Sequence, residues 1–155
     1  MGNRNCGRLG KFYEEQVTEL QRLLERFVKE SHSNHSVEKY LTICEQLGQE
    51  PDPAKMPLTY SDFPEEVQVA FFVFSLLSDY WEGNSGTYMG KHWEGLDYLF
   101  ELYEVENTKV VLFFMKTYEQ LLVSYRAEEA ERKRKADERK AKASGGRNYT
   151  HNVQG

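Results

Sequence analysis

From Lys11 onward, apolar positions recur at helical spacing. Tyr13, Val17, Leu20, Leu24, Phe27 and Val28 fall mostly three or four residues apart in a charged stretch, which predicts an amphipathic helix. Residues 1–10 hold three glycines and no periodicity, and are expected to be loose. The polar run 31–35 interrupts the pattern, and Ser36 is placed to cap a second, shorter helix. Its stripe is Val37, Tyr40, Leu41, Cys44 and Leu47, with Gly48 positioned to end it. Residues 48–57 carry three of the four prolines and read as an extended connector. A third helix is predicted to open at Asp62-Phe63-Pro64-Glu65, with Asp62 as N-cap, and to run toward Gly83. Positions 67–77 are apolar around most of the circumference, which marks this helix as central and buried. Residues 82–90, with three glycines, read as a loop between helices. Trp93, Leu96, Leu99, Phe100 and Tyr103 form the stripe of a fourth helix. Asn107 or Thr108 caps a fifth, with Val110, Val111, Phe114, Thr117, Tyr118, Leu121 and Tyr125 on its apolar face. No strand is required, so the pattern predicts an all-α bundle of about five helices.

The pattern then changes abruptly. Residues 126–143 contain no large apolar side chain, yet all but Asp137 are good helix formers. Glu128–Arg132, Glu129–Lys133, Glu131–Lys135 and Glu138–Lys142 are opposite charges four apart, each adding about 0.2–0.5 kcal/mol to a helix. The last helix is therefore expected to continue into solvent as a charged rod, projecting about 27 Å at 1.5 Å per residue. Ser144-Gly145-Gly146 should end it. The expected organisation is a loose 1–10, a helical body 11–125, a charged extension 126–143 and a flexible peptide 144–155.

This division changes the meaning of the net charge. The 155 residues sum to −5, but residues 126–155 hold nine of the 20 Lys/Arg and five of the 25 Asp/Glu. The tail is thus +4 and the remainder −9. An acidic body argues against a uniformly basic nucleic-acid binder, while the tail keeps an interaction role. A hydrophobic share of 39% is enough for a real core. The polar start, Met1 to Cys6, has no apolar segment of a secretory signal, and Cys6 stands where the myristoylation pattern asks for Ser or Thr. The longest apolar run, 69–77, is too short to span a membrane. The expected setting is cytoplasmic, with Cys6 and Cys44 as free thiols and the Asn148-Tyr149-Thr150 sequon unused.

Motifs for chemistry are weak. Gly83 to His92 has Gly90-Lys91, but the phosphate-loop pattern fails at Ser85 and His92 and lacks a leading strand. Ser85 misses the spacing of a nucleophile elbow. His32 and His35 supply two metal ligands at most, which is not a site. His92 has Gly95 and Leu96 at i+3 and i+4, so no carboxylate on its own helix orients it. Cys44 lies on an apolar stripe as a structural thiol would. No catalytic residue, metal or cofactor is assigned.

The binding candidates are aromatic and basic. Trp81, Tyr88 and Trp93 bracket the glycine-rich segment and offer large rigid surfaces with polar handles. Arg132, Lys133, Arg134 and Lys135 form the densest basic run, and Tyr149 sits in the terminal peptide. A small acidic helical body with a charged helical extension resembles accessory and assembly factors, phage-encoded ones included, for which the setting would be the virion. The leading expectation is a non-enzymatic protein-interaction factor acting through its C-terminal arm, with homo-oligomerisation through that arm as one form. Nucleic acid is the second choice of partner, because five carboxylates offset eight cations in 126–143. A small enzyme centred on His92 and the 83–91 loop is the third reading. No membrane partner is expected.

Overall fold

The most apolar helix of the chain organises this structure, but it is buried on one side only: Phe72 and Leu76, expected inside a helix covered all round, face solvent. The computed structural model describes residues 6–33 and 36–145. Among these residues the chain forms five helices and one antiparallel pair of short strands. The helices are α1 (Cys6–His32), α2 (Val37–Leu47), α3 (Glu65–Leu76), α4 (Leu96–Leu102) and α5 (Thr108–Gly145). The strands β1 (Asp79–Trp81) and β2 (Tyr88–Lys91) lie between α3 and α4. The fold is thus the mostly helical bundle with a long last helix that the periodicity predicts.

Helix α3 buries Val67, Ala70, Phe71, Val73 and Phe74. Leu24, Phe27 and Val28 of α1 cover one side of it, and Val111, Phe114, Met115 and Leu122 of α5 cover another. Phe71 is the hub of this core. Its ring lies 5.0–5.3 Å from those of Phe27, Tyr60, Phe63 and Tyr118, three of them edge-on. Edge-to-face packing of this kind adds about 0.5–1.5 kcal/mol per pair beyond the area buried.

The caps of α2 are those expected. The Ser36 hydroxyl accepts the Lys39 N–H, and Gly48 adopts φ 63° to close the helix. The packing of α2 is different. Cys44 is its one buried residue, while Leu41, Ile43 and Leu47 of the apolar region face solvent. The connector behind it contains short 3-10 turns at 53–55 and 60–62. Glu30 of α1 ties the connector down by accepting the Leu58 N–H at 2.9 Å, and Arg26 donates to the Met56 carbonyl at 2.9 Å.

Helix α1 opens at Cys6, inside the stretch 1–10 expected to be loose, and three further expectations are corrected. Asp62 does not cap α3; its carboxylate accepts the Thr59 N–H at 2.6 Å and hydroxyl at 2.8 Å, closing the turn at 60–62. Pro64 takes the N-cap position instead, and its carbonyl accepts from Val67 and Gln68. Next, α3 ends at Leu76, short of Gly83. Asp79, Tyr80 and Trp81 are modest helix formers, and their backbone is used in cross-strand pairing with 88–91. The glycine-rich segment expected to be a loop is accordingly a β-hairpin. Third, α4 is shorter than its stripe, starting after Gly95 at φ 80°, so Trp93 precedes it.

Helix α5 is 38 residues long, about 57 Å at 1.5 Å per residue. The boundary between body and extension at 125/126 therefore falls inside one continuous helix. No helix among the described residues is long and apolar enough to cross a membrane.

Truncating Phe71 to Ala removes the shared ring contact of four neighbours. We expect a loss of about 3–5 kcal/mol, read as a lower urea midpoint at unchanged slope; a loss under 1 kcal/mol would remove Phe71 from the centre of the core.

Candidate functional site

Two of the three aromatic candidates meet where the hairpin packs on α5: the rings of Trp81 and Tyr88 lie 5.1 Å apart, while Trp93 packs separately against Phe74. Glu82 builds the turn: its carboxylate accepts the N–H groups of Asn84 at 3.0 Å and Ser85 at 2.6 Å, and the Ser85 hydroxyl. These donors hold its carboxyl below the usual range. Gly86, at φ 64°, donates back to the Glu82 carbonyl. Asp79 pairs with Lys91, Tyr80 with Gly90 and Trp81 with Tyr88, the register slipping between Tyr80 and Trp81. That slip is a bulge, which strengthens the local twist.

Glu119 of α5 locks the second strand in place. Its Oε1 accepts both the Lys91 N–H and the Trp93 indole N–H, each at 2.8 Å. Its Oε2 lies 3.3 Å from Lys116 Nζ, which sits 3.4 Å above the Trp93 ring. Gly90 is required there: a Cβ would come within 2.5 Å of Glu119 Oε1, and its φ is 112°. Lys91 Nζ turns inward to Asp79 Oδ1 and the Leu77 carbonyl, both at 2.8 Å. Arg126 closes the far end, stacking 4.1 Å from the Tyr88 ring centroid and 5.3 Å from that of Trp81.

The candidate aromatics consequently divide. Tyr88 is 3% exposed and belongs to the core. Trp93 is half-buried, its N–H held by Glu119 and one face covered by Lys116. Only Trp81 of the three faces solvent, at 49%, beside exposed Tyr80 and Met89. Burial, with the Asp79 charge second, pushes the Tyr88 hydroxyl up to about 12; burial does the same for Tyr118, also to about 12.

The basic candidates lie further along α5. Arg134 pairs with Glu131 at 2.9 Å and Glu138 at 3.1 Å, and Lys135 with Glu131 at 3.3 Å. Arg132 reaches Glu129 at 3.9 Å rather than Glu128, and Glu138 goes to Arg134 rather than Lys142. Of the four pairs read from spacing, Glu131–Lys135 closes. Lys133 is exposed. Arg132 also lines a groove of about 590 Å³ at the root of the extension, together with Lys29, Lys39 and Lys55. Tyr149 and His35 lie outside the described residues.

For the remaining chemistry, His92 stacks on Tyr80 at 4.9 Å. The His32 ring contacts the Val28 carbonyl at 3.0 Å and packs on Tyr125. Cys44 is a free, buried thiol. Among the described residues, no three His, Cys, Asp or Glu side chains converge as metal ligands.

Sequence reasoning missed Glu119, Arg126 and the groove lysines. For the first two a signal existed: Met115, Glu119, Leu122 and Arg126 recur at helical spacing, so two charged residues continue a buried stripe. Lys29, Lys39 and Lys55 come from three segments, and nothing local relates them.

No protein-family model matches this chain, and neither a curated protein nor a solved structure matches it.

Replacing Glu119 by Ala strands two inward donors. We expect about 1–3 kcal/mol of destabilisation and a change in tryptophan emission, whereas Glu119→Gln, which still offers a carbonyl, retains most of the stability. Equal losses in both would show that charge, rather than acceptance, matters. Tyr88 and Tyr118 stay neutral in the fold above pH 10, where the unfolded chain ionises them. Stability should therefore fall from pH 10 toward 12, and absorbance at 295 nm should show two late-titrating tyrosines.

Proposed function

We propose that this chain is a non-enzymatic, helical protein-interaction factor of the assembly, chaperone-like or regulatory kind, and that the extension of α5 is its docking element. One observation carries the reading. Beyond Arg126, α5 continues through 127–145, about 28 Å at 1.5 Å per residue, with every residue from 127 to 143 exposed except half-buried Glu131. A solvated helix of this length is marginal unless its side chains support it. Here Glu131, Arg134, Lys135 and Glu138 form a chain of contacts on the rod itself. The extension is thereby stiffened without help from the body, and a stiff rod loses little conformational freedom when a partner docks.

The same pairs favour a protein over a nucleic acid as partner. Arg134 already engages two carboxylates and Lys135 one, so phosphates would have to displace them. Trp81, exposed beside Arg126 at the base of the rod, supplies an aromatic contact that a protein docking along the extension would reach.

The test compares the full chain with one ending at Ala127, both immobilised and exposed to native lysate. The shortened chain should keep the near-ultraviolet circular dichroism of the body and lose a specific co-purifying protein by about tenfold or more, equivalent to about 1.4 kcal/mol. Undiminished capture by the shortened chain rejects the arm. Loss of nuclease-sensitive material instead of protein would favour the nucleic-acid reading.

A further inference from the structure

A second groove, of about 410 Å³, lies at the opposite end of α5 from the extension, between the N-terminal half of α3 and the segment 103–107 that joins α4 to α5. Its floor is apolar and only partly covered. Phe72 and Tyr103 meet edge-on there, their ring centroids 5.0 Å apart, and remain 47% and 46% exposed. Leu76, one turn beyond Phe72 on the same face of α3, extends this surface and is also exposed. A contiguous apolar patch of this kind marks an interaction surface. The rim is acidic: Glu65 and Glu66 come from α3, Glu104 and Glu106 from the joining segment. Among the described residues no Lys, Arg or His lines the groove with them, and none of the four makes a side-chain hydrogen bond or ion pair. The positive ends of α3 and α5 offset about one of these charges, at about half a charge each. Lys109, in the first turn of α5, is exposed and closes no ion pair with Glu106. Even with Lys109 counted in full, about two negative charges remain uncompensated. The joining segment is fixed by its own backbone: the Val105 N–H donates to the Phe100 carbonyl at 2.9 Å and the Val110 N–H to the Asn107 carbonyl at 2.8 Å. The rim is therefore set before a partner arrives.

We propose that this groove binds a basic, amphipathic segment of a partner protein, its cationic heads meeting Glu65, Glu104 and Glu106 and an apolar side chain lying on Phe72 and Tyr103. Two features select that occupant. The apolar floor asks for apolar side chains, and the rim of unpaired carboxylates asks for cations. The −9 carried by the first 125 residues steers the same kind of partner toward the site, and exposed aromatic faces receive guanidinium groups. Other cationic ligands fit less well. Among the described residues no three carboxylates converge closely enough to hold a metal ion. The basic extension of a second copy has no large apolar side chain in 126–143 to cover Phe72. The site does not depend on the arm, since α5 sets the two about 57 Å apart at its extremes. A chain with a docking surface at each end of one helix would hold two partners at once.

The probe is a fluorescein-labelled twelve-residue peptide of arginines with leucine at every third or fourth position, titrated against the full-length protein by anisotropy. One twin carries glutamate for each arginine, and a second carries serine for each leucine. The arginine–leucine peptide should bind, and each twin should bind about tenfold more weakly or not at all. Glu104→Lys and Glu106→Lys should each weaken binding about two- to tenfold, as should Tyr103→Ser. Glu45→Lys makes the same charge change on α2, outside the groove, and should leave binding unaltered at physiological salt, where charges are screened over about 8 Å. Positions 45, 103, 104 and 106 are exposed, and far-ultraviolet circular dichroism checks that each variant folds.

The proposal falls if the full chain does not bind the arginine–leucine peptide, if either twin binds as well, or if Glu45→Lys costs as much as the rim reversals. Loss on reversing Glu104 and Glu106 with none on Tyr103→Ser would take the apolar floor out of the site and overturn the proposal as stated. Self-association of the chain abolished by Glu104→Lys would assign the groove to a second copy instead. Ending the chain at Ala127 leaves every residue of this groove in place, so that truncation bears on the arm alone.

Discussion

Burial of α3 is the constraint on which the remaining structure depends. Its inward side, Val67, Ala70, Phe71, Val73 and Phe74, has to be covered, while Phe72 and Leu76 on the other side stay exposed, so the helix is buried on one side only. Helix α1 and the first half of α5 cover it, and the aromatic contacts of Phe71 and Phe74 with Phe27, Phe63, Tyr118 and Trp93 set how those neighbours pack. The hairpin follows from the same requirement. Leu77 and Tyr88 complete the core from strand and turn positions, so the chain leaving α3 must stay close to α5 instead of continuing as helix.

Helix α5 then serves two masters along one axis. Its first half is a wall of the core, and Glu119 uses that position to satisfy donors from β2 and Trp93 together. A carboxylate with only 14% of its side chain exposed is tolerable there because one oxygen takes two N–H groups and the other faces Lys116. Arg126 stacks on the hairpin rings, Glu128 and Arg132 still border the body at the groove, and the ion pairs further out run along the helix itself. The change from core wall to free rod thus occurs without any break in backbone hydrogen bonding, which is why no linker residue marks it.

Charge is arranged on the same plan. The extension is basic in sum, but its most prominent cations are paired along the helix, so its field is weaker than its composition suggests. The groove below it follows the same rule: its cations come from four segments, but Glu30 and Glu128 line it with them and Glu25, Asp52 and Glu129 pair three of them.

Much of the architecture was legible in the chain because it depends on residues close in sequence. The stripes of α1 and α5, the Ser36 and Gly48 caps of α2 and the self-paired extension all arise from neighbours one to four residues apart, and helical spacing exposes such relations directly. One miss was itself local: Asp62 could cap the helix after it or close the turn before it, and Thr59, three residues back, took it. The other outcomes that could not be read turn on distant partners. The segment 79–91 has glycines suited to either a loop or a hairpin; Glu119, 28 positions after Lys91, is what makes the strand form worthwhile. Tyr88 and Trp93 looked like a binding surface because aromatics suit both surfaces and cores, and packing against α5 committed them to the interior. Local sequence therefore settled which segments are helical, the two caps of α2 and where charge accumulates, through short-range hydrogen bonds and side-chain spacing. Tertiary structure alone decided which polar and aromatic groups face inward, since that depends on which remote segment arrives to cover them.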